Sequence, residues 1–246
     1  MSNTPLLYES HDGIAVITLN RPEKRNAINN DMALALREAW ERLEQGPDRV
    51  GVLTHAGEHF TGGADIKNPP DDFPACVPNV GVPLRKPLIA ATGGWVVGGG
   101  VVLVQMCDLC VADETARFMF PEAKVGFTGA LIAGLAARIP HKVAMELMLL
   151  GDPVTAQRMY EVGFVNRVVP AGTQLEAAMT YARRLAGNAP LVVELLRDFV
   201  GQVIPRGPSE SAALGRLAIT RVRQSADAQE GRASFREKRK PRFQGK

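Results

Sequence analysis

Short apolar runs separated by polar turns fill the first two-thirds of the chain; apolar positions at helical spacing fill the last third. Ile14 to Leu19 (IAVITL), Val50 to Leu53, Leu88 to Ala91, Leu109 to Ala112 and Ala116 to Phe120 have the length and composition of strands. Between the first two lies a segment with Leu34, Leu36, Trp40 and Leu43, which predicts a helix capped by Asn29 or Asn30 and ended by Gly46 in a left-handed conformation. The five prolines between residues 68 and 83 argue against a long helix there. Beyond Gly126 the pattern predicts helices over Ala130 to Arg138, Lys142 to Leu150 (stopped by Gly151) and Thr155 to Val162. A strand-like run, Phe164 to Val169, follows, then helices over Leu175 to Ala186, Pro190 to Ile204 and Ser209 to Gln224. Strands alternating with helices, then helices alone, predict an α/β core with a helical C-terminal layer. We divide the chain at 1–190 and 191–246 on that basis.

One stretch stands out, KPLIAATGGWVVGGGVVLVQMCDLCVADETARFMFPE, from Lys86 to Glu122. Gly98, Gly99 and Gly100 open an apolar helix-like segment. Glycine lets the backbone approach a ligand closely, and the first turn of a helix has N–H groups without partners. Gly99 and Gly100 can therefore hold an oxyanion or a phosphate; glycines at such a junction also serve close packing alone. The spacing is neither that of a dinucleotide fingerprint nor that of a phosphate-binding loop. Glu122, after Pro121, is the best-placed candidate acid or base.

Composition narrows the picture little. The chain has 246 residues, 46% of them hydrophobic, and a net charge of +3, which demands neither a nucleic-acid partner nor a membrane. No signal segment is visible and the longest apolar run is too short to span a bilayer, so the expected location is cytoplasmic. Cys107 and Cys110 form a CxxC with no second pair to complete a zinc site, so they and Cys76 read as plain thiols, with no metal expected. From Arg232 onward seven Lys or Arg face one Glu, a basic tail.

Six stretches in order resemble the enoyl-CoA hydratase/isomerase, or crotonase, family: residues 17–29 (ITLNRPEKRNAIN), 60–67 (FTGGADIK), 86–100, 107–126, 145–170 and 230–243. The resemblance implies a crotonase-like spiral of repeated strand-strand-helix units with a helical C-terminal trimerisation region, assembled as a homotrimer or hexamer. It also implies an acyl-CoA thioester substrate, with coenzyme A as part of the substrate and no separate cofactor. The thioester oxygen would sit between the N–H groups of Ala64 and Gly99, giving an enolate. By the same resemblance Gly63, Asp65, Ile66, Trp95, Gly98, Gly100 and Val102 would be substrate-binding. Lys24 and Arg25 correspond to a turn that lies along coenzyme A in relatives, Lys67 to the lysine of the ADIK motif, and Phe235 and Lys238 to C-terminal residues that reach coenzyme A, sometimes in a neighbouring subunit.

One departure matters. Family hydratases carry a glutamate after the glycine triplet and a second in the PE motif; here Val102 stands at the first place and Glu122 at the second. Family isomerases are similar in keeping only the second, so the resemblance favours shifting an enoyl-CoA double bond with a single glutamate. Hydration or another enolate reaction with a non-standard second group is the alternative, and a non-catalytic CoA-thioester or RNA-binding relative is a third. His55 and His59 flank the Ala64 loop where relatives have small or apolar residues, and a loop histidine is usually solvent-facing. Asp113 and Glu114 are expected to cap or face solvent, and Asp65 to fix its loop.

Overall fold

The alternation builds two sheets. The computed structural model describes residues 4–126, 130–203, 215–216, 219, 222 and 224–246. The larger sheet has the order β1 (Leu6–His11), β2 (Ile14–Leu19), β3 (Val50–His55), β4 (Leu88–Thr92), β6 (Leu109–Asp113) and β9 (Arg167–Val169), parallel from β2 onward. The smaller has β5 (Trp95–Val97) parallel to β7 (Arg117–Met119), and β8 (Val154–Thr155) antiparallel to β7.

Three strands were not read from the sequence; of these β8, two residues long, overlaps the predicted start of a helix at Thr155. β1 pairs antiparallel with β2 across Asp12–Gly13, both at positive φ (53° and 76°), as a two-residue hairpin requires. β5 is only three residues long and its apolar run continues into a helix, so no strand period can show.

The parallel strands are covered on both faces. Ile14, Val50, Val52, Ile89, Ala91 and Val111 pack against α6 (Gln174–Ala186). The alternate residues Ile17, Leu19, Leu53, Leu88, Ala90 and Cys110 join the main core with α1 (Asn30–Gln45), α2 (Gly99–Gln105) and the small sheet's Val96 and Phe118. Trp40 anchors α1: it is fully buried, and its indole N–H donates to the Cys76 carbonyl at 2.8 Å. Burying such a side chain contributes about 1.5–3 kcal/mol.

α1 is capped by Asn29, whose side chain accepts from the Met32 N–H at 3.0 Å. Gly46 ends it in an extended conformation (φ −81°, ψ −177°), not the left-handed one expected. Pro47 follows, and the residue before a proline is held in the extended region. Residues Ala130–Ala137 form a 3-10 rather than an α-helical segment; Gly134 in its middle weakens an α-helix. α4 (His141–Leu150) does end at a left-handed Gly151 (φ 61°). α5 (Ala156–Glu161), capped by Thr155, α7 (Pro190–Val203) and α8 (Ala226–Arg236) are further helices among the described residues. The segment predicted helical from Ser209 lies mostly outside the described residues. Among those residues, no helix is long and apolar enough to cross a membrane.

Candidate active site

The small sheet positions the site. The parallel register pairs Val96 with Phe118 and Val97 with Met119. The chain leaves β5 into Gly98 and Gly99, and leaves β7 through Phe120 and Pro121 into Glu122, so both emerge at the same end. On the other edge of β5 runs the loop before Ala64: the Thr61 N–H donates to Trp95 O at 3.0 Å, and the Val97 N–H to Thr61 O at 3.0 Å. Three segments distant in sequence are thus aligned by one short strand.

The Ala64 N–H is directed by a bridge on its other side. Ile28 donates to Gly63 O (2.8 Å) and accepts from the Asp65 N–H (2.8 Å). In that parallel pattern Ala64 itself contributes neither group to Ile28 and its N–H faces away. Gly99 is the first residue of α2, so its N–H has no acceptor within the helix. Among the described residues no protein hydrogen bond uses either N–H. Two such donors can hold a developing oxyanion.

Each glycine of the triplet brings a different neighbour against the backbone. A Cβ on Gly98 would lie 2.7 Å from Glu122 Oε1, one on Gly99 2.5 Å from Phe73 Cζ, and one on Gly100 2.3 Å from Thr61 Cγ2. Gly98 also adopts φ 55°, ψ −114°, open only to glycine, with its N–H donating to Met119 O at 2.9 Å.

Glu122 opens the short helix α3 (Glu122–Val125). Burial pushes its carboxyl up to about 7, with its own backbone N–H opposing in part. Oε2 is buried without a hydrogen-bond partner. A carboxylate so placed can accept a carbon-bound proton and return it near neutrality. Val102, one turn into α2, is 3% exposed and offers no acceptor.

The other predicted residues lie around this centre at varying distance. Gly63 (φ 89°) packs on Val97 O, and its N–H donates to Thr61 Oγ1 at 3.1 Å. Trp95 is half-buried in β5. Asp65 fixes its loop, accepting from the Lys67 N–H at 3.2 Å and pairing with Arg21 at 3.4 Å. Ile66 is 90% exposed, and Lys67, Lys24 and Arg25 are exposed as well; the Arg25 carbonyl accepts from the Gly62 N–H at 2.8 Å, which joins the basic turn to the Ala64 loop. Phe235 and Lys238 lie on and after α8; among the described residues no hydrogen bond, ion pair or ring contact joins them to the Ala64–Gly99–Glu122 group.

Three further residues hold the site together and were not singled out from the sequence. Asn26, fully buried at φ 52°, accepts from the Arg21 N–H (2.7 Å) and donates to Ala56 O (2.9 Å) and His59 O (2.8 Å). Thr61 donates to Asn26 O at 2.7 Å. Phe73 rests on Gly99. The asparagine directly before an apolar pair was visible as a turn residue, but its partners 30 or more positions away were not.

One expectation is corrected, and another is decided between its two alternatives. His55 and His59 are half-buried rather than solvent-facing, each with a buried Nδ1 lacking a partner, because they turn inward beside Gly93–Gly94 and Gln174. Burial holds the His55 imidazole below its usual range, although Asp113 opposes this. Asp113, expected to cap or to face solvent, caps: it is 4% exposed and accepts from the Thr115 N–H (2.9 Å), Thr115 Oγ1 (2.5 Å) and the Gly172 N–H (3.1 Å), which ties β6 to the turn before α6. Glu114 is exposed as expected.

Residues 9–75 and 81–246 match the sequence profile described as enoyl-CoA hydratase/isomerase. The chain is 33% identical to enoyl-CoA hydratase EchA19 of Mycobacterium tuberculosis, over 100% of this chain and 98% of that protein. It is 34% identical to (E)-benzylidenesuccinyl-CoA hydratase of Thauera aromatica, over 98% and 99%. The crystal structure of carnitinyl-CoA hydratase from Mycobacterium avium superposes with a TM-score of 0.78 at 33% identity, covering 100% of both chains. A profile running along nearly the whole chain, relatives aligned end to end and a shared crotonase-like fold together make this protein an enzyme of the enoyl-CoA hydratase/isomerase family.

Proposed function

We propose that the protein binds an enoyl-CoA thioester and shifts its double bond with one carboxylate. The thioester oxygen accepts hydrogen bonds from the Ala64 and Gly99 N–H groups. Glu122 takes a proton from the α-carbon of a 3-enoyl-CoA; the C–H electron pair becomes the enolate. The same proton returns to the γ-carbon, taken up by the former 3,4 double-bond pair, and a 2-enoyl-CoA results. Each oxyanion donor supports such a step by ~3 kcal/mol. Lys24, Arg25 and Lys67 supply positive charge for the coenzyme A phosphates, and Phe235 and Lys238 reach it from a neighbouring copy.

The observation that carries this reading is the pairing of Glu122, half-buried with its Oε2 buried and unpartnered, with an apolar Val102 where a second carboxylate would stand. One carboxylate suffices to move a proton between carbons; orienting and deprotonating water calls for two. Hydration is the second reading, favoured by relatives named hydratases.

The test is incubation with 3-enoyl-CoA and 2-enoyl-CoA thioesters followed by product analysis, alongside solvent-deuterium exchange at the α-carbon. Isomer formation with little 3-hydroxyacyl-CoA supports the proposal, and rapid hydration of the 2-enoyl-CoA overturns it. Glu122→Gln should lose exchange by ~100-fold or more; exchange at the parental rate would remove Glu122 from the chemistry.

A further inference from the structure

We propose that Phe73 sets the acyl-chain specificity of this enzyme, confining it to short chains; this rests on the enoyl-CoA reading above. The ring lies directly on Gly99, closer than any side chain at that position could tolerate: a Cβ there would meet Cζ at 2.5 Å and Cε2 at 2.6 Å. Gly98, the preceding residue, is overlain by the Glu122 carboxylate. Catalytic carboxylate and aromatic ring therefore flank the same two-residue stretch of backbone. A thioester whose oxygen reaches the Gly99 N–H presents its α-carbon to Glu122, and the chain beyond it runs into the ring.

Phe73 is a wall and not a passing side chain, because its turn is tied at both ends to α1. Before it, the Asp71 N–H donates to Asn30 Oδ1 at 2.8 Å, and Asn30 Nδ2 donates to Asp71 Oδ2 at 3.1 Å. After it, the Trp40 indole holds the Cys76 carbonyl at 2.8 Å, and the Cys76 thiol donates to the Phe73 carbonyl at 3.1 Å. Pro74 limits the backbone between them. The ring is half-buried, with its tip, Cζ and Cε2, on the site's glycine. An acyl chain long enough to pass Gly99 has to displace an aromatic ring whose turn is hydrogen-bonded to α1 on both sides.

The experiment compares kcat/KM for 3-hexenoyl-CoA and 3-dodecenoyl-CoA in the parent and in Phe73→Ala, Phe73→Leu and Phe73→Trp. The parent should prefer the shorter substrate. Phe73→Ala should raise the long-to-short ratio by about 10-fold or more, the scale on which methylene-sized space discriminates in an apolar pocket. Phe73→Leu should raise it less, and Phe73→Trp should lower it. The ratio does not depend on the fraction of enzyme folded, and Phe73→Leu serves if the alanine variant fails to fold. A parent that prefers the longer substrate, or a ratio unchanged across the three variants, overturns the role of Phe73 and leaves the isomerase reading standing. A parent that turns over neither substrate removes the isomerase reading and this proposal with it.

Discussion

The carboxylate of Glu122 rests on the backbone of Gly98, with 2.7 Å between Oε1 and the place a Cβ would occupy. The contact exists because β5 and β7 are parallel and in register, and because Gly98 holds φ 55°, ψ −114°. Gly98→Ala would strain that conformation by ~1–3 kcal/mol and push the carboxylate away. The expected outcome is a lower unfolding midpoint together with loss of α-proton exchange. A variant that keeps parental exchange would show that the contact is dispensable.

Glu122 also predicts a pH signature. Its carboxyl is raised to about 7, so the folded protein holds a proton that the unfolded chain has released above about pH 4.3. Stability from this group is therefore present at low pH and is lost as pH rises through about 7. Glu122→Gln should be more stable than the parent above that point and converge with it in acid. Exchange by the parent should rise with pH through the same range, as the base form appears. Thermal unfolding and deuterium exchange measured across pH check both halves.

Asn26→Ala removes three hydrogen bonds and strands half-buried partners at Arg21, Ala56 and His59. It also leaves alanine at φ 52°. An unsatisfied buried group costs ~1–3 kcal/mol and a left-handed non-glycine residue ~1–2 kcal/mol. The variant should lose about 3 kcal/mol or more in denaturant titration. A loss below ~1 kcal/mol would contradict the bracing of the Ala64 loop by Asn26.

His55 has the opposite acid behaviour to Glu122. Its imidazole is held below its usual range by burial, so below about pH 6.5 the unfolded chain takes a proton that the folded one resists. Its contribution is intact at higher pH and falls away in acid. Relative to the parent, His55→Gln should show a shallower loss of stability between neutral and mildly acidic pH. Identical slopes would place the acid sensitivity elsewhere.

α7 carries an apolar stripe in the open. Leu191, Leu195, Phe199 and Val203, with Val192, Leu196 and Val200 beside them, are each at least half exposed at helical spacing. A continuous exposed apolar face of this kind marks an association surface. We expect the chain to self-associate at micromolar concentration, and Leu195→Glu with Phe199→Glu to shift it toward monomer in light scattering. A monomeric parent would sink this prediction.

The sequence by itself determined the local elements whose cause is local. The Asn29 cap, the extended runs of β2, β3, β4 and β6, the glycine-opened α2 and the stop at Gly151 follow from side-chain type and period within a few residues. It also carried the family, because motifs such as FTGGADIK and the glycine triplet are short and contiguous. The relations that make a site are non-local, and only the tertiary structure decided them. β5, three residues long, has no readable period, yet its two edges bring Ala64, Gly99 and Glu122 to one end. Asn26 looked like a turn residue because two of its three side-chain partners, Ala56 and His59, lie 30 or more positions away. His55 and His59 looked exposed, and Asp113 was open between capping and solvent, because exposure depends on which element later covers a strand end, and α6 comes 61 residues after Asp113. Phe73 was one aromatic in a proline-rich loop until α1 pinned that loop against Gly99. Periodicity reports how a segment meets its own neighbours; contact between distant segments depends on how the sheets close, which no local pattern encodes.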